Sequence, residues 1–253
     1  MSSAPLLFLL CLAAPAPAAP ASDRFRQANE AVRGGDYPRG IAAYAEVAAS
    51  GAESASLYWN WSQAAAARGA VGESLWALLR ARELEPWDKA LGREIERVRE
   101  SANLDPAEIA PEPLAALGRA SRRFHLGGLA LVLGALSVLL HGAARRFPAA
   151  RLPPRLSGLA LALALLSAAF PVAASFARPT GVVVRRGAPL ADAASATAEA
   201  VGALREGEVV PILQESGEYL RVEDSSGARG WARLEDVRRT DRAPKPVIVL
   251  TSS

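Results

Sequence analysis

The sequence predicts a multi-domain membrane protein: an α-solenoid of helical hairpins, then a two-helix transmembrane hairpin, then a small antiparallel β-barrel. Three observations predict it. Two runs, Phe124–Ala144 and Leu156–Ala177, contain no Asp, Glu, Lys or Arg. Between Ser22 and Asn103 two segments match each other at an offset of 34 residues. From Val182 to Arg239 short β-forming runs alternate with turn residues. The expected boundaries are 1–21 for an export signal, 22–104 for the helical repeats with a capping helix and 105–122 for a linker. Membrane spans at 123–144 and 156–177 enclose a basic loop at 145–155, and a barrel at 180–240 precedes a tail at 241–253.

At 1.5 Å per helical residue the first apolar run reaches roughly 31 Å, against a hydrocarbon core about 30 Å thick. Both runs are rich in Leu and Ala, and a helix satisfies its backbone groups internally, as lipid requires. An even number of crossings puts the segments before and after the hairpin on one side of the membrane. The 253 residues carry a net charge of +3, and the excess is local. Residues 22–123 hold 14 basic and 15 acidic groups, and residues 178–253 hold 11 of each. The turn between the spans holds Arg145, Arg146, Arg151 and Arg155 with no acid, so these four are expected at the cytoplasmic membrane surface. Nucleic-acid binding is left without support.

The start of the chain reads as a secretory signal. An apolar run, Leu6–Ala14, leads into Pro15-Ala16-Pro17-Ala18-Ala19-Pro20-Ala21, which offers small-residue cleavage sites. An exported N-terminus leaves the arginine turn in the cytoplasm. Cys11 is the one cysteine, so the mature chain is expected to lack disulfides and a thiol nucleophile. The two histidines, His125 and His141, stand about 24 Å apart along one helix and cannot share a metal.

The first repeat reads as a helix through Phe25–Ala31, a break at Gly34-Gly35-Asp36 and a helix entered at Tyr37-Pro38. Pro suits a first helical turn, and Gly-Asp suits the break before it. The second repeat carries Tyr58-Trp59-Asn60-Trp61, a break at Gly69, a helix to Leu84 and then Pro86. Across the offset Gly35 matches Gly69, Ile41 matches Leu75, Tyr44 matches Leu78 and Val47 matches Ala81. Paired helices at this period resemble tetratricopeptide (TPR) repeats. The likeness departs from the motif at Ser62, Ala65 and Ser74, which replace the usual Gly, Tyr and Ala. A helix at Trp87–Asn103, with Leu91, Ile95 and Val98 on one side, would cap the array.

The TPR resemblance implies peptide binding in the groove formed by the first helix of each pair. Its groove positions fall on Phe25, Asn29, Arg33, Trp59, Asn60 and Gln63. Asn29 and Asn60 stand where the carboxylate-clamp subclass keeps its asparagines. That subclass's lysine positions are Phe25 and Ala90, which argues against capture of a free C-terminal carboxylate. Packing between helices is the alternative role for Phe25 and Trp59.

In the last third, Val182-Val183-Val184, Glu208–Leu213, Tyr219–Val222, Gly230–Leu234 and Val237 read as strands of a small barrel. The order Gly207-Glu208-Val209-Val210, Tyr219-Leu220-Arg221-Val222 and Gly230-Trp231-Ala232 is similar to bacterial SH3 (SH3b) domains. That similarity implies a partner-binding role for Tyr219 and Trp231, with barrel core or hydrophobic rim as the alternative for Trp231. The apolar Val247-Ile248-Val249-Leu250 of the tail could add a strand to a sheet edge.

No P-loop, G-x-S-x-G or H-E-x-x-H motif occurs. Carboxylate pairs such as Glu83/Glu85 and Glu94/Glu96 have arginines at helical spacing, the pattern of a solvated helix face. No catalytic residue, metal or cofactor is expected. The order of signal, TPR unit, membrane hairpin and SH3-like barrel resembles the BatE-type proteins of bacterial aerotolerance (Bat) operons. The resemblance implies a non-enzymatic scaffold of the bacterial inner membrane, multi-pass, with both globular modules in the periplasm. Its partners would be other membrane or periplasmic proteins, among them Bat proteins with von Willebrand A domains, together with the lipid bilayer. The alternative is a cell-wall receptor whose barrel binds peptidoglycan.

Overall fold

Every second helix of the N-terminal part starts 34 residues after its counterpart: α1, α3 and α5 at 21, 55 and 89, and α2 and α4 at 37 and 71. The computed structural model describes residues 20–104, 113–146 and 154–244. The signal up to residue 19 with Cys11, linker residues 105–112, Arg151 and the apolar tail Val247–Leu250 lie outside these.

The helices are α1 (Ala21–Arg33), α2 (Tyr37–Ala49), α3 (Ala55–Ala67), α4 (Val71–Leu84) and α5 (Lys89–Ser101). The breaks fall where the sequence puts them. Gly35 and Gly69 hold φ of +83° and +71°, a region that an L side chain resists, and each ends the first helix of a pair. Asp36, Ser54 and Asp88 cap the following helices, their side chains accepting from the backbone N–H of Arg39, Leu57 and Ala90. The two serines that depart from the TPR pattern, Ser62 and Ser74, are both buried, and their hydroxyls lie 3.0 Å apart in a hydrogen bond between α3 and α4. The core of this unit is aromatic. Trp61 meets Trp76 edge-on at 5.0 Å between centroids, and Tyr58 stacks on Trp61 at 5.9 Å.

The apolar runs form α7 (Leu126–Arg146) and α8 (Pro154–Ser175), each holding an 18-residue stretch whose mean hydropathy is 1.9 and 2.1 respectively. Both are long and apolar enough to cross a membrane. Their contact is made by small residues: Ala160 and Ala164 are buried, and Ser137 Oγ donates to the Ser157 carbonyl at 2.8 Å. The sequence predicts a first span from residue 123, preceded by a spacer with one short helix after Pro113. The chain turns at His125 (φ +50°), so the span begins at Leu126, and the short helix, α6 (Pro113–Arg123), lies along the end of α8 with Gly118 against Ala174. The linker therefore ends in a packed helix.

Seven strands follow: β1 (Thr180–Val183), β2 (Ala188–Ala191), β3 (Ala200–Leu204), β4 (Val209–Ser216), β5 (Tyr219–Glu223), β6 (Arg229–Arg233) and β7 (Val237–Arg239). They make one antiparallel sheet in the order β3-β2-β6-β5-β4-β1-β7. Val183, Leu190, Leu204, Val210, Leu220, Val222 and Val237 share one core, so the sheet curls round onto itself. Strands β2 and β3 were not legible in the sequence, since Ala, Pro and Gly dominate them and none favours strands.

The helical unit and the sheet pack directly on each other. Strand β1 lies on α4, and Val182 belongs to the helical core. Gly72 makes the approach feasible: a Cβ there would stand 2.2 Å from the Val183 carbonyl oxygen. Polar groups close the seam. Trp76 Nε1 donates to the Arg239 carbonyl at 2.8 Å, Arg80 to the Thr240 carbonyl at 3.1 Å, and Arg205 to the Asn103 carbonyl, beyond the end of α5, at 2.7 Å.

Candidate binding groove

Residues of α1, α3 and α5 wall most of one open surface of the helical unit, while strand β1 packs on α4. Two clefts open there. One of about 270 Å³ is walled by Ala55, Ser56, Trp59, Asn60, Glu85, Asp88, Ala90 and Leu91. The other, of about 300 Å³, is walled by Asn29, Val32, Arg33, Tyr44, Asn60 and Gln63. Asn60 belongs to both, which makes it the partition of one groove.

Of the six groove positions expected from sequence, Asn29, Arg33, Asn60 and Gln63 come together at the second cleft and Trp59 with Asn60 at the first. Phe25 lines neither. It is half-buried, and its ring packs on Tyr44 at 6.0 Å between centroids, the contact that the packing alternative implies. Asn29 is also committed: its Oδ1 accepts from Tyr44 OH at 2.6 Å and from Asn60 Nδ2 at 2.9 Å. Burial pushes the Tyr44 phenol above its usual pKa, with the Asn60 bond and the Arg33 charge acting the other way. Gln63 donates to Glu94 at 3.2 Å across to α5. The first cleft therefore presents an indole and two carboxylates, and the second presents amides and one guanidinium.

Sequence reasoning missed Glu85 and Asp88. They sit in the α4–α5 turn and reach the cleft only through the folding back of α5. Trp87 lies between them in that turn, two-thirds exposed.

The clefts are also ordered along the molecule. Gly72, at the start of α4, donates its N–H to Glu206 in the sheet at 3.1 Å. Further along α4, Arg80 bonds the Thr240 carbonyl, and Thr240 bonds Thr180, five residues after the end of α8. Near the end of α4, Glu83 pairs with Arg122 of α6 at 2.6 Å. The C-terminal end of α4 is thus the end nearer the apolar hairpin. The α4–α5 turn and the start of α3 share that end, and with them the Trp59/Glu85/Asp88 cleft.

On the sheet, Tyr219 and Trp231 are half-buried and stand on the outer face, because the alternating Leu220, Val222 and Ala232 fill the core. Trp231 is therefore not a core residue. Tyr219 is directly opposite Arg233 and Trp231 is opposite Arg221, so the two aromatics are diagonal neighbours on adjacent strands. Arg145, Arg146 and Arg155 are exposed at the far end of the apolar hairpin.

Among the described residues no group of three or more His, Cys, Asp or Glu side chains could hold a metal. Comparison with family models, with curated proteins and with solved structures finds no match to this chain. The class defined by the fold is thus stated from its own parts: a 34-residue helical-repeat unit locked to a seven-stranded antiparallel sheet, carried on an apolar helical hairpin.

Proposed function

We propose that the chain is a non-enzymatic scaffold of the bacterial inner membrane, with α7 and α8 crossing the bilayer and both globular parts in the periplasm. The helical unit acts as a TPR-type groove that holds an extended segment of a partner protein, as the BatE-like order of parts implies. One observation supports this reading most: the two clefts meet at Asn60 on helices that recur every 34 residues. The direct packing of sheet on helical unit agrees with an even number of crossings, which puts both on one side. Because one cleft lies at the hairpin end, the segment best placed to enter it is the juxtamembrane stretch of another membrane protein, with Bat proteins carrying von Willebrand A domains as the family's candidates. Arg145, Arg146, Arg151 and Arg155 then rest on the cytoplasmic leaflet.

The test is site-specific photo-cross-linking in intact membranes from Trp59, from Gln63 and, as a control, from Arg68 at the opposite end of α3. Protein adducts from the first two positions and none from Arg68 are expected. Equal or absent adducts at all three would remove the groove from the mechanism.

A second reading, cell-wall recognition through the SH3-like sheet, is favoured by the diagonal Tyr219–Trp231 pair on an outward face. Retention of the full chain on purified peptidoglycan, lost in Trp231→Ala, would select it over the protein-scaffold reading.

A further inference from the structure

We propose that Trp87 is an interfacial anchor whose indole enters the headgroup region of the bilayer and seats the α4–α5 turn on the membrane. The inference rests on the reading of α7 and α8 as membrane spans.

Away from α7, α8 and the phenylalanines that flank them, the large apolar side chains that stand exposed among the described residues are Trp87, at 66%, and Val201, at 60%. An indole left in water forfeits most of its burial energy. Its N–H also needs an acceptor when the ring is buried. Trp61 and Trp76 obey this rule, donating to Glu73 and to the Arg239 carbonyl. The Trp87 N–H has no partner among the described residues. A ring with one apolar face and one unanswered donor fits the membrane interface, where acyl chains take the first and headgroup oxygens the second.

Position supplies the second argument. Two attachments orient the helical unit over the hairpin: Glu83 on Arg122, four residues before α7 begins, and Arg80 on Thr240 beside Thr180, five residues after α8 ends. Both lie towards the C-terminal end of α4, and Trp87 follows that end by three residues. It therefore occupies the surface turned towards the bilayer. Two attachments still leave rocking about the line that joins them, and a third contact at Trp87 suppresses it. The Trp59/Glu85/Asp88 cleft is then held open beside the lipid surface.

The test uses the full-length chain with Cys11→Ser in nanodiscs of phosphatidylethanolamine and phosphatidylglycerol, with no other protein present. Bimane labels are placed, with Trp87 intact, through Lys89→Cys two residues beyond it, through Arg68→Cys at the opposite end of the unit, and through Leu136→Cys within α7. They are quenched by lipids that carry a nitroxide at the headgroup or deep in the acyl chain. The deep nitroxide is expected to quench at 136. The headgroup nitroxide is expected to quench severalfold more at 89 than at 68. Adding Trp87→Ala to the Lys89→Cys protein should abolish this shallow quenching while circular dichroism stays unchanged. Deep quenching at 136 with positions 89 and 68 behaving alike, or with quenching at 89 that survives Trp87→Ala, would overturn the anchor while leaving the membrane spans intact. This would also be the outcome if Trp87 docks a protein. Absence of quenching at 136 would overturn the spans, and the anchor with them.

Discussion

The Glu73 carboxylate of α4 accepts a hydrogen bond from the Arg238 guanidinium of β7 at 2.7 Å, and its same oxygen accepts from Trp61 Nε1 at 3.2 Å. Arg238 lies over the rings of Trp76 and Trp61, 5.0 and 5.8 Å from their centroids. One arginine of the sheet thus completes the aromatic core of the helical unit. The neighbours of Trp61 in sequence, Asn60 and Trp59, line the groove, so the groove helix is braced from behind by the sheet.

Arg238→Ala should lower stability by about 2 kcal/mol, since it leaves the largely buried Glu73 without its cation; the partial exposure of Arg238 puts the cost below the usual range for fully buried pairs. Urea unfolding followed by tryptophan fluorescence and by far-ultraviolet circular dichroism should give coincident transitions in the wild type, because the two modules share one core. Separate transitions in the wild type would mean that the seam carries little energy.

Gly72→Ala should be more damaging than Gly69→Ala, although both replace a glycine beside the same turn. At Gly72 the added carbon meets the β1 backbone, and about 1–3 kcal/mol is lost as the sheet is pushed off α4. At Gly69 there is open space, and the cost is the positive φ alone, about 1 kcal/mol. Thermal melts of the two variants decide the order.

Ser74→Ala should cost about 1–3 kcal/mol, because it strands the buried hydroxyl of Ser62. The double variant Ser62→Ala with Ser74→Ala should be milder than either single change, as no donor is then left unpaired. Denaturant midpoints of the three proteins measure this directly.

The sheet should weaken in acid. Partial burial works to raise the pKa of Asp241, but its paired bonds with Arg239, at 2.9 and 2.6 Å, outweigh that and hold it below the ordinary 3.8. Burial works to raise Asp224 too, but hydrogen bonds from the Ser226 hydroxyl and from the backbone N–H groups of Ser226, Gly227 and Ala228 together outweigh it and hold the carboxyl low. A carboxyl depressed in the folded state adds stability that is full above its unfolded pKa and lost as pH falls through the folded one. Melting temperature should therefore hold steady down to about pH 5 and decline below about pH 4. Asp241→Asn should melt lower than wild type at pH 7 and converge with it at the acid end.

Much of the fold was legible because it depends on neighbours in sequence. The 34-residue offset, the glycine breaks and the Pro38 entry are local, and the helices begin where those signals stand. The sheet was read less completely. Strands β1, β4, β5, β6 and β7 carry Val, Ile, Leu, Tyr or Trp between turn residues, whereas Pro189 and Gly202 hid β2 and β3. At the groove, the TPR resemblance named Trp59, Asn60 and Gln63, and these line the two clefts. It did not separate Phe25 from them, since the packing partner of its ring, Tyr44, sits on another helix.

By itself the sequence determined that two charge-free segments are long enough to span lipid, that paired helices recur before them and that strands follow. Those properties arise from composition and period within a few turns of chain. Only the tertiary structure decided that Arg238 reaches into the helical core, that Trp231 faces outward, that Glu85 and Asp88 share a cleft with Trp59 and that Trp87 is left uncovered. Each is a contact or an exposure set by elements far apart in the chain, and no local pattern of residues encodes which distant surface will cover a side chain.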